Sequence, residues 1–231
     1  MQEEGRWGEV REALAAITPI CTKYDSNGVD LYFLNARTPE GDPKYYRSIR
    51  RSKQIMEIFD KEARPDGWTY TGTRIREILG PYVSNFENAV QSSRRADNTG
   101  IKPVNLIVIT DGAPSDDPES VIRELARRLD RVDALPHQVG IQFFQVGTDK
   151  EAGEALREMD DGLKDVRDMV DTVSFNTLDK RGVKKLTADG LLKVVLGSVN
   201  RRLDRIRLEE LPPGPQPQSP GGQSSSRYRS R

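Results

Sequence analysis

The feature that most constrains the fold is an unbroken apolar run at residues 105–110, with the sequence Asn-Leu-Ile-Val-Ile-Thr. Short apolar runs of this kind are typical of strands that are buried on both faces of a parallel sheet. A second such run covers residues 140–147. Segments with helical spacing separate the strands, and this alternation predicts a parallel sheet. We therefore expect an α/β fold with a doubly wound, mostly parallel sheet and helices on both faces.

The spacing of apolar residues also divides the first half of the chain into helices and strands. Pro19 should close the first helix, and Pro81 should kink or break a later one, because proline lacks the backbone donor that a helix uses. The predicted elements are a helix at residues 6–18, a strand at 29–35, a loop at 37–46, a basic helix with Ile49, Ile55, Met56 and Phe59, and a helix from Thr73.

In the second half, Asp116 and Glu119 have the spacing of a capping box, and Pro118 suits a first helical turn. A helix should therefore start there. Beyond it we predict a strand at 140–147, a polar helix near 150–160, an edge strand at 170–175 and a final helix at 191–206. Residues 1–210 would form one domain. Residues 211–231 are rich in Pro, Gly, Ser and Arg, cannot bury a core, and should be disordered.

Composition excludes several classes of protein. Lys and Arg number 36, and Asp and Glu also number 36, so no global field favours nucleic acid or acidic lipid. No apolar stretch is long enough for a membrane span. Cys21 and His137 are the only residues of their types, which excludes an internal disulfide or a Cys/His zinc cluster and disfavours a Ser/His/Asp triad. We expect an intracellular, cytoplasmic protein that is not an enzyme.

Two segments carry candidate ligand groups. Asp111 follows the strand at 105–110 directly, and open α/β sheets bind ligands at the carboxyl ends of their strands. The second segment is Thr69-Tyr70-Thr71-Gly72-Thr73, in which hydroxyl groups surround a glycine just before a helix. Its oxygens and backbone amides could help to hold an ion, or the segment could simply cap the helix.

These two motifs, in this order within a βα pattern, resemble the von Willebrand factor A (vWA) family over about residues 1–208. The resemblance implies a metal-ion-dependent adhesion site, in which Thr69 matches the family's threonine and Asp111 its last aspartate. In that family an Asp-x-Ser-x-Ser loop after the first strand supplies the other ligands, and a protein partner completes the coordination with a carboxylate.

The chain departs from the family at its amino terminus. No Asp-x-Ser-x-Ser sequence occurs, and no apolar strand precedes the first helix. The resemblance therefore implies that the first central strand and half of the metal site are absent, and that Met1 is an internal methionine of a longer protein. Without that strand its neighbours would each present an unpaired backbone edge, so we expect either that they pair directly or that the truncated chain is unstable. Magnesium would bind in a full-length form, and two ligands would hold it weakly here.

The leading functional hypothesis is a vWA-type protein-interaction module with a partial metal site at Thr69 and Asp111. One alternative is a metal-dependent phosphohydrolase that uses Asp111, Asp116 and Asp117. A second alternative is a nonfunctional fragment of a longer vWA protein. Nucleotide binding is not expected, because the chain contains neither a P-loop nor a Gly-x-Gly-x-x-Gly sequence.

Overall fold

A computed structural model describes residues 5–61, 67–147 and 149–174. Within these ranges the chain forms five α-helices and five β-strands. In chain order they are α1 (Arg6–Tyr24), β1 (Val29–Arg37), β2 (Pro43–Ile49), α2 (Ser52–Lys61), α3 (Thr71–Ser93), β3 (Val104–Thr110), α4 (Pro118–Arg131), β4 (Val139–Gln145), α5 (Lys150–Gly162) and β5 (Val170–Ser174). No helix of the described ranges is long and apolar enough to cross a membrane.

The second half of the chain forms a parallel sheet with the strand order β3-β4-β5. Every residue of β3 is paired with β4, from Val104 opposite Val139 to Thr110 opposite Gln145. Because the strands run in the same direction, they end at one common edge, which we call the carboxyl edge. The fold is thus mixed α/β, as the sequence predicts. In the described ranges its parallel part comprises three strands.

The first half contributes a separate antiparallel hairpin, β1–β2. The predicted loop at 37–46 is wrong in its second part, because β2 already begins at Pro43. The turn is short: the amide of Gly41 donates to the carbonyl of Thr38 at 2.9 Å, and the amide of Thr38 donates to the carbonyl of Asp42 at 2.8 Å. Ile49 ends β2 instead of entering the predicted basic helix, which starts at Ser52.

Helices cover both faces of the parallel sheet. Alternate residues of β3 and β4 belong to one core, which they build with α3, α4 and α5. On the other face, Ile107 and Ile109 of β3 pack in a second core with α1, α2 and the hairpin residues Leu31 and Phe33. The second core therefore joins the two sheets through side chains. Within the described ranges β1 and β3 do not pair, so direct pairing across the expected gap does not occur.

The predicted end of the first helix at Pro19 is wrong. Helix α1 continues through Pro19 to Tyr24. Proline cannot donate to the carbonyl four residues earlier, which belongs to Ala15. The hydroxyl of Ser52, at the start of α2, donates to that carbonyl at 2.5 Å. A tertiary hydrogen bond thus replaces the missing helical one. Helix α3 is likewise continuous from Thr71 to Ser93, so Pro81 does not break it.

The other helices and strands predicted for the described residues are present, with shifts of a few residues at their ends. Strands at 105–110 and 140–147 are β3 and β4, and the helix expected near 150–160 is α5. The edge strand expected at 170–175 is β5, which is described to Ser174. The predicted final helix at 191–206 and the tail at 211–231 lie outside the described residues.

Candidate interaction site at the carboxyl edge

Asp111 lies at the carboxyl edge because β3 ends one residue before it. A local hydrogen-bond pair shapes the turn: the hydroxyl of Thr110 donates to the carbonyl of Gly112 at 2.9 Å and accepts from the amide of Gly112 at 3.3 Å. The carbonyl of Thr110 still accepts from the amide of Val146 at 2.8 Å, on the segment that follows β4. The turn that carries Asp111 is therefore anchored to the sheet.

The structure brings the Thr69 segment to the loop that carries Asp111. The amide of Thr69 donates to the hydroxyl of Ser115 at 2.9 Å, and the amide of Ser115 donates to the carbonyl of Thr69 at 2.8 Å. Ser115 belongs to the same β3–α4 loop as Asp111. Among the described residues, no hydrogen bond engages the Thr69 hydroxyl. The two segments that the sequence singles out therefore meet, and Thr69 retains an available oxygen.

Asp116 has a different role from the predicted one. It does not begin α4; its carboxylate instead accepts hydrogen bonds at the start of α3, from the amides of Gly72 and Thr73 at 2.9 and 2.8 Å and from the Thr73 hydroxyl at 3.0 Å. Asp117 is the residue that caps α4, and its side chain accepts from the amide of Ser120 at 3.0 Å. The predicted capping box is thus wrong, although the predicted helix exists.

Close packing around residue 72 explains why the threonine-rich segment contains a glycine. A Cβ atom at this position would lie 2.8 Å from the Cα atom of Pro118 and 2.9 Å from the carbonyl oxygen of Asp117. Both contacts are to backbone atoms, which cannot move aside cheaply. The amino termini of α3 and α4 therefore pack against each other only because residue 72 has no side chain. This contact fixes the segment that includes Thr69.

Arg6 is a site residue that sequence reasoning missed. It is the first residue of α1, and its guanidinium lies 3.5 Å from the carboxylate of Asp111. The two side chains are 15% and 21% exposed, so the pair is largely shielded from solvent. A positive charge at a helix amino terminus opposes the helix dipole. That local conflict is a weak sequence signal, because a positive charge in a first helical turn is unfavourable unless something else stabilises it.

Two exposed aromatic side chains flank Thr69 and were also missed. Trp68 is 70% exposed and Tyr70 is 47% exposed. Among the described residues, Tyr45 at 46% is the other large apolar side chain with comparable exposure. Tryptophan and tyrosine are enriched among the residues that dominate binding energy at protein interfaces. The segment thus presents two large side chains to solvent from a backbone that Ser115 holds in place.

The described residues do not fit a magnesium ion. Magnesium prefers six oxygen ligands in a near-octahedral arrangement. Thr69 and Asp111 provide two ligand groups, and the carboxylate of Asp116 is already engaged at the start of α3. No group of three or more His, Cys, Asp or Glu residues in the described ranges is arranged to hold a metal. The Arg6 guanidinium also stands beside Asp111, where a second cation would be repelled.

No family model matches the chain, and neither a curated protein nor a solved structure is significantly similar to it. The resemblance to vWA domains therefore rests on the residue patterns around Thr69 and Asp111.

Proposed function

We propose that this chain is a non-enzymatic, vWA-type protein-interaction module whose partner binds at the carboxyl edge, over the segment 68–70. The observation that carries this proposal is the exposure of Trp68 and Tyr70 on either side of Thr69. Exposed aromatic side chains on a soluble surface mark binding sites when they cluster. Open α/β sheets also bind their ligands at this edge.

Hydrogen bonds to the backbone of this segment favour a binding role for the two exposed side chains. Ser115 makes two hydrogen bonds to the backbone of Thr69, and Asp116 caps the helix that starts at Thr71. A preorganised segment loses little conformational freedom when a partner binds, so more of the contact energy contributes to affinity. Aromatic side chains have few rotatable bonds, which lowers this cost further.

The carboxylates give less support to the phosphohydrolase alternative. That hypothesis requires Asp111, Asp116 and Asp117 to converge on a metal or substrate. Asp116 and Asp117 instead accept hydrogen bonds from two different helix termini, and Asp111 pairs with Arg6. Hydrogen bonds from Ser120 lower the pKa of Asp117, so this group is a poor general acid. The arrangement resembles helix capping more than a reaction centre.

A pull-down with matched variants tests the proposal. The tagged chain serves as bait in cell extract, beside Trp68→Ala, Tyr70→Ala and Tyr45→Ala baits, and bound proteins are quantified by mass spectrometry. Tyr45 is the matched control, since its exposure of 46% nearly equals the 47% of Tyr70 but it lies on the hairpin. We expect a partner whose recovery falls with the first two variants and persists with the third.

The affinity of each variant for the purified partner then measures how much each side chain contributes to binding. Trp68→Ala should weaken binding by about tenfold or more, as expected for the loss of a hot-spot residue. Equal recovery of every protein by all four baits would remove the basis for the proposal. Hydrolysis of p-nitrophenyl phosphate that disappears in Asp111→Ala would instead favour the phosphohydrolase. A chain that is insoluble or unfolded when purified would favour the nonfunctional fragment.

A further inference from the structure

The charge arrangement at Asp111 differs from what a metal-dependent site needs. In such a site the carboxylate faces the ion. Here it faces the guanidinium of Arg6, with 3.5 Å between the nitrogen Nη1 and the oxygen Oδ2. Both side chains are mostly covered, at 15% and 21% exposure, and solvent screens a covered pair less than an exposed one. The negative charge of Asp111 is therefore already balanced by a group of the chain itself.

The Arg6 guanidinium also lies directly against the backbone at Gly147. A Cβ atom at position 147 would lie 2.6 Å from Cζ and 2.7 Å from Nε of Arg6. The residue also has a φ angle of +84°, a conformation that favours glycine. The Arg6 side chain thus lies across the backbone that follows β4, and the pair with Asp111 joins α1 to two neighbouring strand ends.

Among the described residues, the other groups of this edge do not offer a divalent ion a better set of ligands. The carboxylate of Asp116 accepts three hydrogen bonds at the start of α3. Thr69 can add one neutral oxygen. A divalent ion near Asp111 would therefore approach a positive charge and find few ligands in the part of the chain that the structure describes, and either condition alone weakens binding.

We infer that Arg6 is the resident cation of the carboxyl-edge site and that this site functions without a divalent metal. The geometry of the chain alone supports this role of Arg6. The consequence for binding rests on the proposed function: partner affinity should be insensitive to chelators. This differs from the metal-dependent contact that the vWA resemblance implies.

Binding of Mn²⁺ to the purified chain tests the inference without any partner. Manganese is a spectroscopic probe for a magnesium site, and the free ion is quantified by its electron paramagnetic resonance signal. The comparison uses wild type, Asp111→Asn, Arg6→Gln, the double variant Arg6→Gln/Asp111→Asn, and Arg11→Gln. Arg11 is the matched control because it lies on the same helix and pairs with Asp60 instead.

We expect no Asp111-dependent Mn²⁺ binding in wild type or in Arg11→Gln. Arg6→Gln should bind Mn²⁺ at least about tenfold more tightly than wild type, and the double variant should lose this gain. Wild-type binding of one Mn²⁺ that Asp111→Asn abolishes would overturn the inference. So would the absence of any gain in a folded Arg6→Gln, since Arg6 would then not be what excludes the ion.

A further variant guards against a folding defect in Arg6→Gln. Arg6→Lys retains the charge and should behave like wild type. Circular dichroism establishes that each protein is folded. If no purified partner is found, the proposed function fails while the manganese titration still decides the role of Arg6.

Discussion

Strands β3 and β4 are adjacent, equally long and both largely apolar, yet they differ in burial. All residues of β4 are buried, whereas β3 is only half-buried from Val104 to Ile109. The difference follows from sheet position, because β4 pairs with β3 and β5 while β3 pairs with β4 alone in the described ranges. Apolar composition thus identifies a strand but does not determine whether it lies in the centre of the sheet.

Particular backbone groups of β3 face away from β4. The amide of Val104 donates to Gln138, and the carbonyl of Thr110 accepts from Val146, so the even-numbered residues bond toward β4. The amides of Ile107 and Ile109 therefore point the other way, since alternate residues of a parallel strand bond to opposite neighbours. Among the described strands this edge is unpaired, and such an edge is a template for another strand.

The largest effect expected from this comparison concerns two adjacent side chains in the same core. Ile141 of β4 is 0% exposed and is paired with Leu106 of β3, which is only partly buried. Ile141→Ala should lower the free energy of unfolding by about 4 kcal/mol, and Leu106→Ala by about 2 kcal/mol, because less apolar surface is lost at the edge. Urea denaturation measures both. Equal losses would mean that β3 is as well buried as β4.

Protection of the backbone amides from hydrogen exchange should show the same contrast between β3 and β4, with a smaller effect. Amide hydrogen exchange by NMR should be about a hundredfold faster, or more, at Ile107 and Ile109 than at Leu106 and Val108. In β4 no such alternation is expected, because the amide of Ile141 donates to Met169 of the neighbouring segment at 2.8 Å. Uniform protection along β3 would show that another strand covers its edge, and the comparison with β4 would then no longer hold.

The smallest effect concerns the helix layer that covers both strands. Glu87 of α3 pairs with Arg128 of α4 at 2.6 Å, and this hydrogen bond holds the pKa of Glu87 below its ordinary value of 4.5. A lowered folded-state pKa means that the stabilisation is present above about pH 4.5 and is lost as the pH falls through the folded-state value. Glu87→Gln should therefore lower the free energy of unfolding by about 1 kcal/mol at pH 7 and by less near pH 3.

Urea denaturation at both pH values checks this prediction. Asp60→Asn, which breaks an exposed pair with Arg11 at 3.2 Å, is the control and should cost only a few tenths of a kcal/mol. A Glu87→Gln loss that does not shrink on acidification would assign the effect to packing instead of charge. Protection from hydrogen exchange in the same variant should fall equally in β3 and β4 if the layer supports both.

Much of the fold is predictable because its signals are local. The apolar run at 105–110, the stripe of α4 and the run at 140–147 each depend on residues a few positions apart. The errors share a cause as well. A helix end at Pro19 is a sound local expectation, and it fails because Ser52, distant in sequence, satisfies the carbonyl that proline leaves open.

The candidate site was predictable only in part. Thr69 and Asp111 stand out because they follow recognisable motifs at element ends. Trp68 and Tyr70 do not, since an aromatic residue in a sequence is more often buried than exposed. Arg6 carries a weak signal as a positive charge in a first helical turn, but its partner is more than one hundred residues away.

The sequence by itself determined where most helices and strands lie, because helix and strand periods are properties of neighbouring residues. Only the tertiary structure decided that β3 is an edge strand in the described ranges, that Asp116 caps α3 instead of α4, and that Arg6 neutralises Asp111. Each of these depends on which loops and termini meet in space, and a charged or polar group takes its partner from what lies within hydrogen-bond distance rather than from what is near in the chain.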